Sequence, residues 1–385
     1  MLDNIKSKDV LKIIFQNLKN KTKLNIIKYS RKLLNRLAIT KEDFKIYEKI
    51  KKLNKVFSID IKDIDIKELN LENKNIKNEE LENLNNIEFK ELKELDLSNN
   101  DISDINILEK VNFKELREIN LNDNRNFDLR VLENVNFKKL EKLNLNVCRI
   151  QNVNILENVN FKNLKVLELG NTQIKNIKFL ESVDFKNLEI LNLSQNQISD
   201  ISVLENVNFK ELKELNLYFN EISDIRILEK VKFEKLEKLN LRSNQISDIS
   251  ILKYANFKEL RELILRKNQV SDISVLEKVK FEKWENFQFG RNYISDIKVL
   301  ENVKFGKLKI LNISYNLLSD ISILEKANFK ELNELKIDDN QISDIKVLEN
   351  VKFEKLEKLY ILKPNIESQP FRTCRFQRIE RVISF

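Results

Sequence analysis

The sequence predicts an α/β solenoid, in which short parallel strands stack into one sheet and tight turns return the chain on the opposite side. Phenylalanine recurs in register every 24 residues, from Phe89 to Phe353. Each interval also carries two apolar residues spaced two apart, such as Leu95 and Leu97. The 385 residues include only 3 glycines and 2 prolines. A turn that needs neither residue must therefore be repeated along the chain.

Each element of the repeat has a physical reason. Leu95 and Leu97 point to the same side of a short strand, because successive side chains alternate across a strand. Asn100 follows at the turn, where its amide can donate and accept hydrogen bonds, so a column of asparagines can join the turns of adjacent coils. The phenylalanines would form an apolar spine inside the coil. A period of three favours a 3₁₀-like return on the convex side, and its residues in this unit are Ile102, Ile105, Leu108 and Val111.

The unit resembles the leucine-rich repeat family over about residues 61–366. Residues 244–249, Asn-Gln-Ile-Ser-Asp-Ile, resemble the internalin and phosphatase-regulator subtypes. The resemblance implies a horseshoe with a concave parallel sheet, short 3₁₀ or helical turns on its convex side and capped ends.

Some units depart from this pattern. Cys148 replaces the turn asparagine at a position where the family tolerates cysteine, so we expect a buried, unreactive thiol. Trp284, Phe287 and Phe289 replace core leucines, and their extra volume predicts a local distortion. Pro364 cannot serve as a ladder residue, so the regular array should end there.

Three segments are expected. Residues 1–56 form a basic helical N-terminal cap, residues 57–366 a solenoid of about 12–13 repeats, and residues 367–385 a C-terminal cap or tail. Residues 1–60 carry a formal charge of +10, so the other 325 carry −2 of the total +8. Because the positive charge is confined to one end, the sequence argues against nucleic-acid binding along the array.

The N-terminal segment has a second interpretation. The apolar spacing over residues 7–37 resembles an F-box, although the usual opening Leu-Pro and the late Trp are missing. This resemblance implies binding to a Skp-type linker of a ubiquitin ligase. The linker-contacting candidates would be Leu11, Ile14, Phe15 and Leu18.

Composition excludes several kinds of chemistry. The chain contains no histidine, and its two cysteines, Cys148 and Cys374, are far apart. These counts exclude histidine-dependent catalysis and argue against a zinc or disulfide site. We therefore expect no cofactor and no enzymatic activity. No signal peptide or membrane span is evident, which predicts a cytoplasmic protein.

The residues after each strand predict a binding surface. With strands about 4.8 Å apart, twelve units give a concave arc of roughly 55 Å, wide enough for a protein or peptide. We define the first turn column as the position of Ser98 and its equivalents every 24 residues, and the second turn column as the position of Asn99 and its equivalents. Near the middle these columns hold aromatic and cationic residues typical of binding hot spots. This basic-aromatic cluster consists of Tyr218, Phe219, Arg242, Arg266, Lys267, Arg291 and Tyr315.

The cluster favours a non-catalytic scaffold that binds a protein or peptide on its concave face. Gly290 is expected to leave a gap beside Arg266 where a partner side chain could insert. The alternatives are an F-box substrate adaptor of a ubiquitin ligase and, third, an internalin-like adhesin or effector.

Overall fold

The computed structural model describes residues 41–125, 128–303, 306–351 and 353–361. In this part of the chain, thirteen parallel strands form one sheet in which each strand pairs with its neighbours in sequence. The strands are β1 Glu68–Asn70, β2 Glu94–Asp96, β3 Glu118–Asn120, β4 Lys142–Asn144, β5 Val166–Glu168, β6 Ile190–Asn192, β7 Glu214–Asn216, β8 Lys238–Asn240, β9 Glu262–Ile264, β10 Asn286–Gln288, β11 Ile310–Asn312, β12 Glu334–Lys336 and β13 Lys358–Tyr360. The predicted solenoid is confirmed.

The sheet has one buried face. Leu95 and Leu97 are buried on β2 and just after it, and the pattern repeats along the array. Pairing joins equivalent positions of adjacent units, as in Leu215 with Leu239. Because the repeat holds every strand in the same register, the apolar residues at these positions, mostly leucines, stack into a continuous core.

Helical turns return the chain on the convex side. Most are 3₁₀ helices, which agrees with the period of three. The α-helices are α1 Lys41–Phe57, α2 Asn78–Leu81 and α3 Ile107–Lys110. The 3₁₀ helices are Glu82–Asn86, Leu129–Glu133, Val153–Glu157, Lys178–Glu181, Ser202–Glu205, Arg226–Glu229, Ser250–Lys253, Ser274–Lys278, Lys298–Glu301, Ser322–Glu325 and Lys346–Glu349. An aspartate starts many of these turns: the Asp200 carboxylate accepts a hydrogen bond from the Ser202 amide at 2.8 Å.

The turn asparagines join neighbouring coils, as predicted. Asn220 Nδ2 donates to the carbonyl of Leu217 in its own coil at 3.1 Å and to that of Leu193 in the preceding coil at 3.0 Å. Its Oδ1 accepts from the amide of Ile198 in the preceding coil at 3.0 Å. One side chain thus bonds to three backbone groups in two coils, and each of the two carbonyls also accepts from a second ladder asparagine, Asn196 at Leu193 and Asn244 at Leu217.

The aromatic residues fill the interior. The spine phenylalanines from Phe89 to Phe257 are at most 2% exposed. The distortion expected at Trp284 does not occur in the sheet, because β10 pairs in register with both β9 and β11. The extra rings pack on one another instead, with the centres of Phe287 and Phe289 4.2 Å apart.

Cys148 is buried as predicted. Its Sγ donates to the carbonyl of Leu121 at 3.2 Å. Burial raises the pKa of the Cys148 thiol to about 11. Because the thiolate is the reactive form, the folded chain keeps this cysteine unreactive.

Helix α1 covers the first coils, as expected for an N-terminal cap. It buries Ile50, Leu53 and Phe57 in the common core and packs near the turn at Glu82–Asn86. The F-box candidates Leu11, Ile14, Phe15 and Leu18 lie outside the described residues, as do Pro364 and the tail 367–385. The F-box assignment, the segment boundaries and the end of the array at Pro364 remain predictions. None of the helices that the structure describes has the length and apolar character required to cross a bilayer.

Candidate binding surface

The two turn columns differ in backbone and exposure. In the second turn column, the backbone of eleven coils within the described part is left-handed, with φ between 51° and 59°, and none of these residues is glycine. Most of their side chains face solvent. The first turn column is more enclosed, since Ser98, Ser194 and Ser314 are buried. There, only long side chains can reach a partner.

The structure brings the seven predicted residues together on five successive coils. Tyr218 and Phe219 follow β7, Arg242 follows β8, Arg266 and Lys267 follow β9, Arg291 follows β10 and Tyr315 follows β11. Phe219 is 52% exposed and Tyr315 is 40% exposed. The basic-aromatic cluster is therefore a continuous, accessible surface.

Three of the cations lie over aromatic rings. Arg242 Cζ is 5.3 Å from the centre of the Tyr218 ring, and Lys267 Nζ is 5.9 Å from that of Phe219.

On the far side of the cluster, Arg291 Cζ is 4.4 Å from the centre of the Tyr315 ring. Such contacts hold a cation without neutralising it. All three charges remain available to an anionic partner.

The cluster cations lack carboxylate partners. Elsewhere a cation commonly pairs with a carboxylate of the adjacent coil, as Lys213 does with Glu189 at 2.6 Å. Within the described ranges, Arg242, Arg266, Lys267 and Arg291 form no ion pair of this kind. This part of the concave face therefore carries uncompensated positive charge.

Arg266 is the most constrained of the four. Its Nε is buried and has no hydrogen-bond partner among the described residues. Burial lowers the pKa of the Arg266 guanidinium, and the positive charges of Arg242 and Arg291 lower it further. The more distant charge of Asp338 opposes this shift only in part, so the Arg266 charge is in the environment that an added anion would stabilise.

Gly290 does not leave the predicted gap. A Cβ at this position would lie 2.8 Å from Asn312 Oδ1 and 3.1 Å from Ser314 Oγ. These two polar side chains of the next coil already occupy the space. Gly290 therefore permits a close approach between coils and provides no insertion pocket.

Sequence reasoning missed two exposed apolar residues beside the cluster. Tyr293 and Leu317 follow the ladder asparagines of adjacent coils and are 56% and 42% exposed. Their backbone amides donate to the carbonyls of Val270 and Ile294 in the preceding coils, which sets them one above the other. A comparison of the residues that directly follow the ladder asparagines would have found them, because the equivalent residues in nearby coils are polar, such as Gln269.

The strands on either side of the cluster carry negative charge. Near the N-terminal end, burial raises the pKa of the Glu94 carboxyl, and the charges of Glu118 and Glu68 on adjacent strands raise it further. Near the C-terminal end, burial raises the pKa of Asp338, and the charge of Asp339 adds to this. Carboxyl groups that repel one another therefore lie on both sides of the basic-aromatic cluster.

Comparison with known families agrees with this architecture. The profile described as Leucine Rich repeats (2 copies) matches residues 162–206, 186–230, 210–254 and 234–278. A second profile, Leucine Rich repeat, matches residues 91–105. The chain therefore contains leucine-rich repeats over these residues. A search of curated proteins by sequence found no match.

Several solved structures share the fold. An internalin, InlF, from Listeria monocytogenes superposes with a TM-score of 0.62 at 24% identity, covering 83% of this chain and 95% of that chain. A leucine-rich repeat protein of Leptospira interrogans gives a TM-score of 0.56 at 20% identity, covering 81% and 92%. The Arabidopsis receptor kinase HAESA, solved in complex with the peptide hormone IDA and the co-receptor SERK1, gives a TM-score of 0.50 at 18% identity, covering 80% and 50%.

Proposed function

We propose that this protein is a non-catalytic scaffold that binds a protein or peptide through the basic-aromatic cluster on its concave face. The observation that carries the proposal is the group of four cations without carboxylate partners, interleaved with exposed aromatic rings. Arginine and aromatic side chains are enriched where binding energy concentrates in interfaces.

A preformed surface of this kind suits recognition. The coils are locked by the asparagine ladder, so little ordering is needed when a partner binds. Unopposed positive charge also speeds the encounter with an acidic partner and aligns it. The complex of HAESA with a peptide hormone shows that a solenoid of this fold can hold a peptide. The adaptor alternative depends on residues 7–37, which lie outside the described part, and remains a prediction.

Partner capture with matched variants tests the proposal. The full chain and an Arg242→Ala/Arg266→Ala/Arg291→Ala variant are immobilised, and proteins retained from a lysate of the source cells are quantified by mass spectrometry. We expect at least one partner whose purified form binds the variant about tenfold more weakly or worse, because truncation removes hot-spot contacts.

The control variant removes three arginines that already have carboxylate partners: Arg117, Arg226 and Arg261. It should retain the partner at wild-type level. Partners retained equally by all three proteins would show that the cluster is not the binding surface.

A further inference from the structure

Arg266 differs from the other cations of the cluster in a way that indicates what binds. Arg242, Lys267 and Arg291 each lie over an aromatic ring. Among the described residues, Arg266 lies over no ring and forms no salt bridge, although the charge of Asp338 acts on it from a distance, and its buried Nε has no hydrogen-bond partner. A buried donor without a partner is costly, and a charged one more so. Because the side chain as a whole is half-buried while Nε itself is buried, an outside group would reach this guanidinium through its terminal nitrogens.

The shape of the surface limits the occupant. Arg266 follows β9, while the exposed apolar pair Tyr293 and Leu317 follows β10 and β11. One to two strand spacings along the array correspond to about 5–10 Å. Tyr293 and Leu317 also lie three positions further along their coils than Gly290 and Ser314, the equivalents of Arg266. The reach of the long side chains at both contacts leaves roughly two to four residues of extended peptide between them. A bound peptide can thus place an acidic residue against Arg266 and an apolar residue, two to four positions before or after it, against Tyr293 and Leu317.

This inference rests on the proposed function. We infer that Arg266 is the anion anchor of the surface and binds the side-chain carboxylate of an extended peptide segment. An apolar residue of the same segment packs on Tyr293 and Leu317. A guanidinium can hold both oxygens of a carboxylate, which gives orientation as well as energy. Charge complementarity selects this occupant, because Arg242 and Arg291 add positive charge on both sides of Arg266.

Selection from a random 12-residue peptide display library tests this inference with the full chain. Peptides enriched on the wild type should carry Asp or Glu two to four residues from an aromatic or aliphatic residue. Arg266→Gln should abolish the acidic preference and keep the apolar one. Leu317→Gln, which introduces the residue found at the equivalent position 341, should do the reverse. Arg226→Gln, which changes an exposed arginine paired with Asp224, should enrich the same peptides as the wild type.

Synthetic copies of an enriched peptide then assign the contact. We expect Arg266→Gln and replacement of the peptide's acidic residue by its amide each to weaken binding at least about tenfold. Made together, the two changes should cost little more than either alone, since both remove the same pair. Circular dichroism and thermal unfolding verify that each variant is folded.

The outcomes separate the two proposals. If peptide binding requires Arg242 and Arg291 but not Arg266, the anchor is wrong and the proposed function stands. If peptide binding is unchanged when each of the three arginines is replaced, or if no peptide is enriched, both the anchor and the proposed function are wrong. Tighter binding of a peptide with phosphoserine in place of the acidic residue would overturn the assignment to a carboxylate.

Discussion

Single residues in this protein accept backbone conformations that glycine would adopt more easily. The second turn column is left-handed in coil after coil, yet its residues range from Asn99 to Phe219 and Arg291. For residues other than glycine, asparagine and aspartate, this conformation costs about 1–2 kcal/mol. The repeated hydrogen bonds on both sides of the turn hold these residues in place, as where the Phe219 amide donates to the Arg242 carbonyl at 2.8 Å.

Val147 bears the largest penalty, because branching at Cβ is least compatible with its φ of 59°. We predict that Val147→Asn raises the free energy of unfolding by about 1 kcal/mol, since asparagine tolerates this region. Urea unfolding followed by circular dichroism measures the change. The reverse swap in the next coil, Asn171→Val, should lower stability by a similar amount. Equal stability of both variants and the wild type would show that the turn carries no such strain.

At the level of the coil, the turn asparagine determines how neighbouring units are joined. Asn196 serves a coil whose own ladder position is Thr172: its Oδ1 accepts from both the amide and the hydroxyl of Thr172, at 3.0 and 3.1 Å. The single hydroxyl hydrogen of Thr172 is shared with the Leu169 carbonyl, which lies closer, at 2.7 Å. The ladder therefore tolerates a shorter polar side chain when its neighbour supplies an acceptor.

Asn220→Ala should be strongly destabilising. It leaves the buried amide of Ile198 without its partner. It also removes one of the two asparagine donors from each of the carbonyls of Leu193 and Leu217, which keep Asn196 and Asn244 respectively. We expect a loss of about 2–3 kcal/mol in the free energy of unfolding, because unpaired buried groups keep their desolvation cost. Asn220→Thr should cost less, since its hydroxyl can still donate to one carbonyl. Chemical denaturation compares the three proteins, and a loss below about 0.5 kcal/mol in the alanine variant would contradict the prediction.

Across the whole molecule, ion pairs run from coil to coil along the surface. Glu285 pairs with Arg261 of the preceding coil at 2.9 Å and with Lys309 of the following coil at 2.7 Å. The hydrogen bond from Lys309 lowers the pKa of the Glu285 carboxyl, and the one from Arg261 lowers it further. Glu141 has the same arrangement with Lys165 and Arg117. Each pair is individually weak, but together they couple stability to pH.

Acid should therefore weaken the solenoid. Where folding lowers a carboxyl pKa, the unfolded state binds more protons in acid, so the stabilisation present above the ordinary carboxyl pKa of about 4.3 is lost as pH falls through the lower folded value. Carboxyls with raised pKa, such as Glu94, act in the opposite direction and offset part of this loss.

Glu285→Gln tests the coupling. The variant should lose less than about 1 kcal/mol at pH 7 and show a shallower fall in stability between about pH 5 and 3. Thermal unfolding at several pH values gives both quantities. Glu282→Gln is the matched control, because Glu282 makes no ion pair among the residues that the structure describes. Parallel pH profiles for wild type and Glu285→Gln would refute the role of the inter-coil pairs.

The sequence by itself determined the features that recur in every coil. The 24-residue interval predicted the order of the strands, the burial of Leu95 and Leu97 and the asparagine ladder, because a period imposes the same contacts in every coil. It also placed Cys148 in the interior and collected the basic-aromatic residues on adjacent coils.

Only the tertiary structure decided the features that occur in a single coil. It showed that the space beside Gly290 is filled by Asn312 and Ser314, and that the rings around Trp284 pack without breaking the sheet. It also showed that, among the described cations of the cluster, Arg266 has a buried Nε without a hydrogen-bond partner. These features depend on the volumes and rotamers of particular neighbours. A repeat pattern averages over such differences, whereas close packing makes each of them specific to its own coil.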